Sequence, residues 1–173
     1  MREWIPVSTS AKGRLAVRAL EDFGQRGYDA VGVAELAAAA GVTTGSLYHH
    51  FGSKLGLYGF VRAEAEQRLL DRMEGAMAAS APSDRPAAVM AALLIGFDFA
   101  AREGFLRILG DPPAGSGRDR LAEMLTASTA SASPVLGSVL TAAWRAALVA
   151  VAEGTAPQDA RAALTALEFR FSS

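Results

Sequence analysis

The sequence predicts an all-α protein, a small three-helix head carrying a helix-turn-helix (residues 1–53) followed by a larger helical body (residues 54–173). Three observations predict it. Apolar residues recur at three- and four-residue spacing through most of the chain, with no strand-like alternation of useful length. Glycine and proline punctuate these runs where helices should end. Finally, the stretch VAELAAAAGVTTGSLYHHFGSK places Val33, Leu36, Ala37 and Ala40 on one helical face, breaks at Gly41, and resumes with Leu47 and Phe51. Two helices meeting at a glycine turn have the grammar of a helix-turn-helix, whose second helix enters the DNA major groove.

The first helix is expected from about Ser10 to Arg26, with Leu15, Ala19 and Phe23 on one face and Lys12, Arg14 and Arg18 elsewhere. Gly27 reads as its C′ residue, making Phe23 and Tyr28 the hydrophobic pair of a Schellman ending. Arg14 and Arg18 read equally as solvated surface or as phosphate contacts. Gly41 ends the second helix because glycine tolerates positive φ. Thr43 then accepts the amide of Ser46 and starts the third helix. With Leu47 and Phe51 facing inward, Thr44, Gly45, Tyr48 and His49 face out. Hydroxyl, phenol and imidazole groups can reach phosphates and base edges, while Gly45 leaves the approach open. Ser53 is the expected cap of a fourth helix starting at Lys54, whose charge and neighbouring amides suit a phosphate. The candidate DNA-binding set is therefore Thr43, Thr44, Gly45, Ser46, Tyr48, His49 and Lys54.

The fourth helix should run to about Ala79, with Leu57, Val61, Ala65 and Leu69 on one side and Arg62, Glu66, Arg68 and Asp71 on others. SAPSDRP breaks and restarts the chain at Pro82 and Pro86. The next helix, about Ala87 to Arg102, is apolar nearly all round and so expected to be buried, with Asp98 either paired to Arg102 one turn on, the plainer reading, or lining a ligand pocket. GDPPAGSGRDR, residues 110–120, reads as a surface loop; without a preceding strand or a following Lys-Ser or Lys-Thr it is not a phosphate loop. Helix returns from Leu121 to about Thr129. After Pro134 a broad apolar stripe runs to Gly154, and Thr155 with Gln158 forms a capping box for a last helix bearing Ala160, Leu164, Leu167 and Phe171 on one face. The two C-terminal stripes, including Leu140, Ala143, Ala147, Leu148, Leu164, Leu167 and Phe171, are wide enough to pair with a second copy as a four-helix bundle. A ligand pocket in the body would draw on Phe97, Phe99, Phe105 and Trp144, whose plainer reading is core.

Composition removes other classes of function. Of 173 residues 51% are hydrophobic and 20% charged, an ordinary globular balance. No stretch has the apolar length of a membrane span and the first ten residues lack a secretory h-region, so a cytoplasmic protein without a membrane role is expected. Without cysteine there is no disulfide framework, zinc ribbon or thiol nucleophile. His49 and His50 are adjacent and point about 100° apart on a helix, which prevents the usual metal clamp. The scattered carboxylates form no catalytic pair, so no enzyme, cofactor or metal is expected. Net charge is −1, so bulk electrostatics gives no support to nucleic-acid binding, and specific arrangement must carry it. The alternative is a helical adaptor that keeps the head but binds only protein.

From Arg14 through Leu57 the chain resembles the DNA-binding domain of TetR-family transcriptional regulators. The resemblance rests on Leu47, Tyr48, His49, His50 and Phe51 followed by Gly52, Ser53 and Lys54, with Phe23, Gly27 and Tyr28 upstream. It implies a regulator, in that family most often a repressor, whose homodimer binds palindromic double-stranded operator DNA through two copies of Thr43 to His50. It also implies a body that binds a small-molecule effector and changes the spacing of the heads. Two places depart from the pattern. Gly32 stands where Ser or Thr usually caps the second helix, and Leu55 and Gly56 replace an acidic residue and a long helix former, the glycine weakening the fourth helix by roughly 1 kcal/mol.

Overall fold

The structure, a computed structural model, describes residues 9–81, 84–113 and 118–169. They form nine helices and no strand: α1 Ala11–Arg26, α2 Val33–Ala39, α3 Thr44–Phe51, α4 Lys54–Ala79, α5 Arg85–Glu103, α6 Leu106–Gly110, α7 Arg120–Thr129, α8 Leu136–Ala152 and α9 Pro157–Thr165. The all-α expectation holds. Helices α1 to α3 form the head, and α4 runs from it into a body in which it packs along α5 while α7 packs on α8.

Short polar side chains set the helix starts. Ser10 accepts the Gly13 amide at 2.9 Å, Asp84 the Ala87 amide at 3.0 Å and Asp119 the Ala122 amide at 3.0 Å. Helix ends differ from expectation at two places. Gly27 closes α1 with a single bond from its amide to the Phe23 carbonyl at 3.1 Å, not the paired bonds of a Schellman motif, although Phe23 and Tyr28 do stack with ring centroids 6.0 Å apart. The paired bonds close α8 instead, where the Gly154 amide reaches Val151 at 3.0 Å and the Thr155 amide reaches Ala150 at 2.9 Å. Thr155 is thereby used, and its expected capping box with Gln158 does not form. Helix α9 starts at Pro157 behind Ala156, without a side-chain cap, because proline's fixed φ and missing N–H suit the first helical position.

Helix α5 is not buried all round. Ile95 is 46% exposed and Asp98 lies on the same solvent side. Asp98 does not pair with Arg102. Arg161 arrives from α9 and donates its Nε to both carboxylate oxygens at 2.8 and 3.1 Å, while Arg102 turns outward and lies 3.5 Å from Glu103. The docking of α9 beside α5 thus overrides the neighbour one turn away. Helix α6 is also new relative to the sequence reading, since five residues carry too little periodicity to register as a helix.

The head meets the body through α1 as well as through α4. A Cβ added to Gly24 would lie 2.4 Å from the Gly104 carbonyl oxygen, so α1 touches the turn between α5 and α6 backbone to backbone. Deeper in, Trp144 is wholly buried and its Nε1 donates to the Leu93 carbonyl at 3.0 Å, tying α8 to α5. Phe97, Phe99 and Phe105 are buried too, with Phe99 and Phe105 edge to face at 5.7 Å. All four candidate pocket aromatics are therefore packed in the core.

Candidate nucleic-acid interface

The turn between α2 and α3 is built by backbone bonds that the sequence dictates. Gly41 takes φ +64°; its amide reaches Ala38 at 3.0 Å and the Val42 amide reaches Ala37 at 2.9 Å, a full Schellman closure. Val42 lands against the core as the hydrophobic residue this motif needs. Thr43 is extended and its hydroxyl accepts the Ser46 amide at 3.2 Å, so α3 begins within two residues. Leu47 is fully buried beneath α3, and Phe51 packs on Phe60 of α4 with centroids 5.5 Å apart. Ser53 caps α4 by accepting the Gly56 amide at 2.9 Å. Gly56 itself has a second use: a Cβ there would lie 2.1 Å from the Phe51 carbonyl oxygen, so the residue that weakens the first turn of α4 also lets α3 close against it.

Thr43, Thr44, Gly45 and His49 are exposed, Ser46 is half-buried and Tyr48 is 53% exposed. They share one outward surface, with His49 and His50 rings in edge contact at 5.0 Å. Gly45 is not demanded by the protein's own packing, because an added Cβ would meet only the Thr43 hydroxyl, at 3.6 Å. Lys54 is half-buried and its ammonium sits 4.2 Å over the Tyr28 ring, held at the edge of this surface by a cation–π contact. Tyr28 in turn packs on Tyr58 of α4 at 5.0 Å and Phe23 on Tyr58 at 5.2 Å.

Among the described residues, the arginines of the head are engaged within the chain. Arg14 donates to the Ala40 carbonyl at 3.0 Å, fastening α1 to the turn, and Arg18 grips the buried Asp22 carboxylate with bonds of 2.9 and 2.7 Å. Arg26 bridges Glu35 and donates to Ala30, joining α1 to α2, and the hydrogen bond from Arg26 holds the Glu35 carboxyl below its usual range. Arg14 and Arg18 thus have partners within the chain, which neither reading, solvated surface or phosphate contact, included. The outward face of α3 is consequently one of hydroxyls, phenol and imidazole with Lys54 at its rim.

For the body residues the picture is different. Leu148 is 0% exposed and Leu140 is buried within its own chain, whereas Ala147 and Leu164, also buried, line the groove between α8 and α9. Ala143 and Leu167 are half-buried, and Phe171 lies outside the described residues. The outward side of α8 is instead Val139, Ala142 and Ala146, because the helix buries the row carrying Trp144 and Leu148. Between α8 and α9 lies a groove of about 420 Å³ walled by Ala143, Ala146, Ala150, Ala163 and Leu167 among others, and none of the four aromatic candidates lines it.

Sequence reasoning missed one polar group altogether. Arg62 and Glu66, placed by the sequence on sides of α4 other than the Leu57 row, are buried, and Asp119 receives two bonds from Arg145 of α8 at 2.6 and 2.9 Å. The available signal was the row Tyr58, Arg62, Glu66, Leu70, in which two charged residues continue an apolar line.

A glycine-turned pair of short helices with the second one open to solvent defines a helix-turn-helix of the DNA-binding kind. Residues 17–59 match the family model of bacterial regulatory proteins of the tetR family. The chain is 38% identical over 88 residues to the HTH-type transcriptional activator FasR of Mycolicibacterium smegmatis, covering 51% of this chain and 39% of that protein. It is 35% identical over 77 residues to the HTH-type transcriptional regulatory protein RaaS of Mycobacterium tuberculosis, covering 44% and 34% respectively. A crystal structure of a TetR-family regulator from Streptomyces coelicolor A3 aligns over 92% of this chain and 97% of that one, at 20% identity and a TM-score of 0.46. Residues 17–59 thus match the DNA-binding segment of the tetR family. The matching segments span well under half the length of the two curated relatives.

Proposed function

We propose that the protein is a sequence-specific, DNA-binding transcriptional regulator that acts in the cytoplasm as a homodimer on palindromic operator DNA. The observation that carries this reading is the solvent-facing surface of α3, where Thr44, Gly45, Tyr48 and His49 have no internal task that would explain them. Thr44 and Gly45 sit closest to the groove, and Tyr48, His49 and Lys54 hold backbone phosphates. Family resemblance favours repression, although one relative is described as an activator. The body, residues 54–173, takes a small-molecule effector and carries the dimer contact. Among the described residues no helix is long and apolar enough to cross a membrane.

Selection of binding duplexes from a random pool, followed by fluorescence anisotropy, tests the reading. An enriched inverted repeat is expected, and Tyr48→Phe should weaken operator and nonspecific duplex alike, since phosphate contacts carry no sequence information. Absence of any enriched sequence would overturn it. For dimerisation, the exposed faces replace the buried leucines as targets. Val139 is 58% exposed, so Val139→Glu should leave the fold intact, yield a monomer by light scattering and lower operator affinity by about 10²-fold or more as the second half-site contact is lost. Wild-type protein that is monomeric yet binds the repeat tightly would refute the dimer.

A further inference from the structure

Arg62 is 5% exposed, and its guanidinium is only partly used. One terminal nitrogen donates to the Tyr58 hydroxyl at 3.2 Å and to the Ile108 carbonyl of α6, while Nε and the other terminal nitrogen have no partner. Buried donors without acceptors are costly, and a guanidinium offers a fork that matches a carboxylate. Arg62 forms part of the wall of a cleft of about 320 Å³ between α4 and the start of α7, together with Leu55, Tyr58, Glu66, Pro113 and Arg120. Arg118 also borders it, giving three arginines against one glutamate. The glutamate is a poor counter-ion. Burial pushes the Glu66 carboxyl up, with Arg62 and Arg120 acting in the opposite direction, and it makes no ion pair with Arg62 within 4 Å. Arg120 is engaged with Gln67 at 2.7 Å and Arg118 with Glu123 at 2.7 Å, which leaves Arg62 as the group short of an acceptor.

We propose that this cleft binds a small organic monocarboxylate, its carboxylate on Arg62 and its hydrocarbon against Leu55, Tyr58 and Pro113. The volume is at the small end of ligand sites. With Arg118 and Arg120 already engaged, the one free fork on Arg62 suits a single carboxylate, and the apolar wall favours a compact hydrocarbon part. The site names an effector class for the regulator proposed above and rests on that reading only for its effect on DNA. Arg62 joins α4 to α6 through the Ile108 carbonyl, and Tyr58, its other partner, packs on the Tyr28 ring that carries Lys54. A carboxylate on Nε and the free terminal nitrogen shares the guanidinium with the α6 carbonyl held by the other terminal nitrogen, so occupancy is felt at the start of α4.

Benzoate and cyclohexanecarboxylate, each with its neutral amide as control, test the site by calorimetry and ligand-observed NMR on the full chain without DNA. Saturable binding of an acid is expected, with its amide at least about tenfold weaker, the loss of a charge-assisted fork. Arg62→Met should reduce affinity by a similar factor. Should that variant fold poorly, Gly59→Phe decides. Gly59 is an exposed residue of the cleft wall where an added Cβ meets nothing within 4 Å, so the variant should fold, fill the cleft and abolish binding. Acid and amide binding equally, neither acid saturating at millimolar concentration, or Gly59→Phe retaining full affinity would each overturn the proposal. Anisotropy with the selected duplex separates the two claims: carboxylate binding without any DNA binding leaves the cleft standing and removes the regulator.

Discussion

The helix-turn-helix segment, residues 41–54, and the polar interior around Arg62 and Arg145 solve opposite problems. In the first, side chains are satisfied by the chain's nearest neighbours: Thr43 by Ser46, Ser53 by Gly56, and Gly41 by the last turn of α2. The surface chemistry is left free. In the second, partners come from afar, Arg145 meeting Asp119 across 26 positions, Arg62 meeting Ile108 across 46 and Arg120 meeting Gln67 across 53. Local rules make a surface that something else must read, whereas long-range pairing makes an interior that holds helices in one relative arrangement.

The largest way to break this contrast is Asp119→Ala. It removes the α7 cap and the acceptor of an Arg145 side chain that is only 12% exposed, and should cost about 3 kcal/mol in urea unfolding. Asp119→Asn, which can still cap, should cost less. A loss under about 1 kcal/mol for the alanine would mean the interior pair is dispensable.

Acid titration sharpens the same point, because two carboxyls of the interior shift in opposite senses. Burial works upward on Asp119, but the Arg145 hydrogen bonds and the Ala122 amide outweigh it, so its carboxyl lies below the ordinary aspartate range. Its stabilisation is present above that range and is lost as pH falls through the folded-state value. Glu66 is raised by burial, so the folded state favours its neutral form and loses stability as pH climbs from the ordinary glutamate range through the raised value. Melting temperatures across pH 3 to 7 should therefore fall less steeply on the acid side for Asp119→Asn, and Glu66→Gln should gain most, relative to wild type, at the neutral end. Parallel curves for all three proteins would contradict the assignment.

In the head the expected effects are smaller. Thr43→Ala should cost about 1 kcal/mol, the usual worth of such a cap, and appear as faster hydrogen exchange confined to α3. Smallest is Gly45→Ala, which should stabilise by up to about 1 kcal/mol because alanine is the better helix former and the site has room. Gly45→Leu should keep that stability and lose operator affinity. If Gly45→Ala destabilised the protein, the glycine would serve folding and not the groove.

How far the sequence was legible follows the same division. The starts of α3 and α4, the turn at Gly41 and the full length of α4 were readable because each signal lies within a few residues of the feature it sets. Asp98 was misassigned because its partner, Arg161, stands 63 positions away on a helix whose docking no local pattern encodes. Thr155 and Pro157 gave competing local signals, and proline won. The burial of Leu148 and Leu164 could not be separated from dimer contact, since an apolar stripe says that something covers it but not which chain does. Gly56 looked like a weakness until the Phe51 carbonyl appeared beside it.

Helix α4 is one uninterrupted rod of 26 residues with the rim of the proposed DNA-binding surface at one end. At about 1.5 Å per residue it is about 39 Å long, so a pivot of about 5° at Ala79 sweeps Lys54 through about 3 Å. That travel matches the whole reach of a hydrogen bond to a phosphate. A rearrangement of the body too slight to change any helix in length or number is therefore geared up, over the span of a single stiff element, into contact made or contact missed.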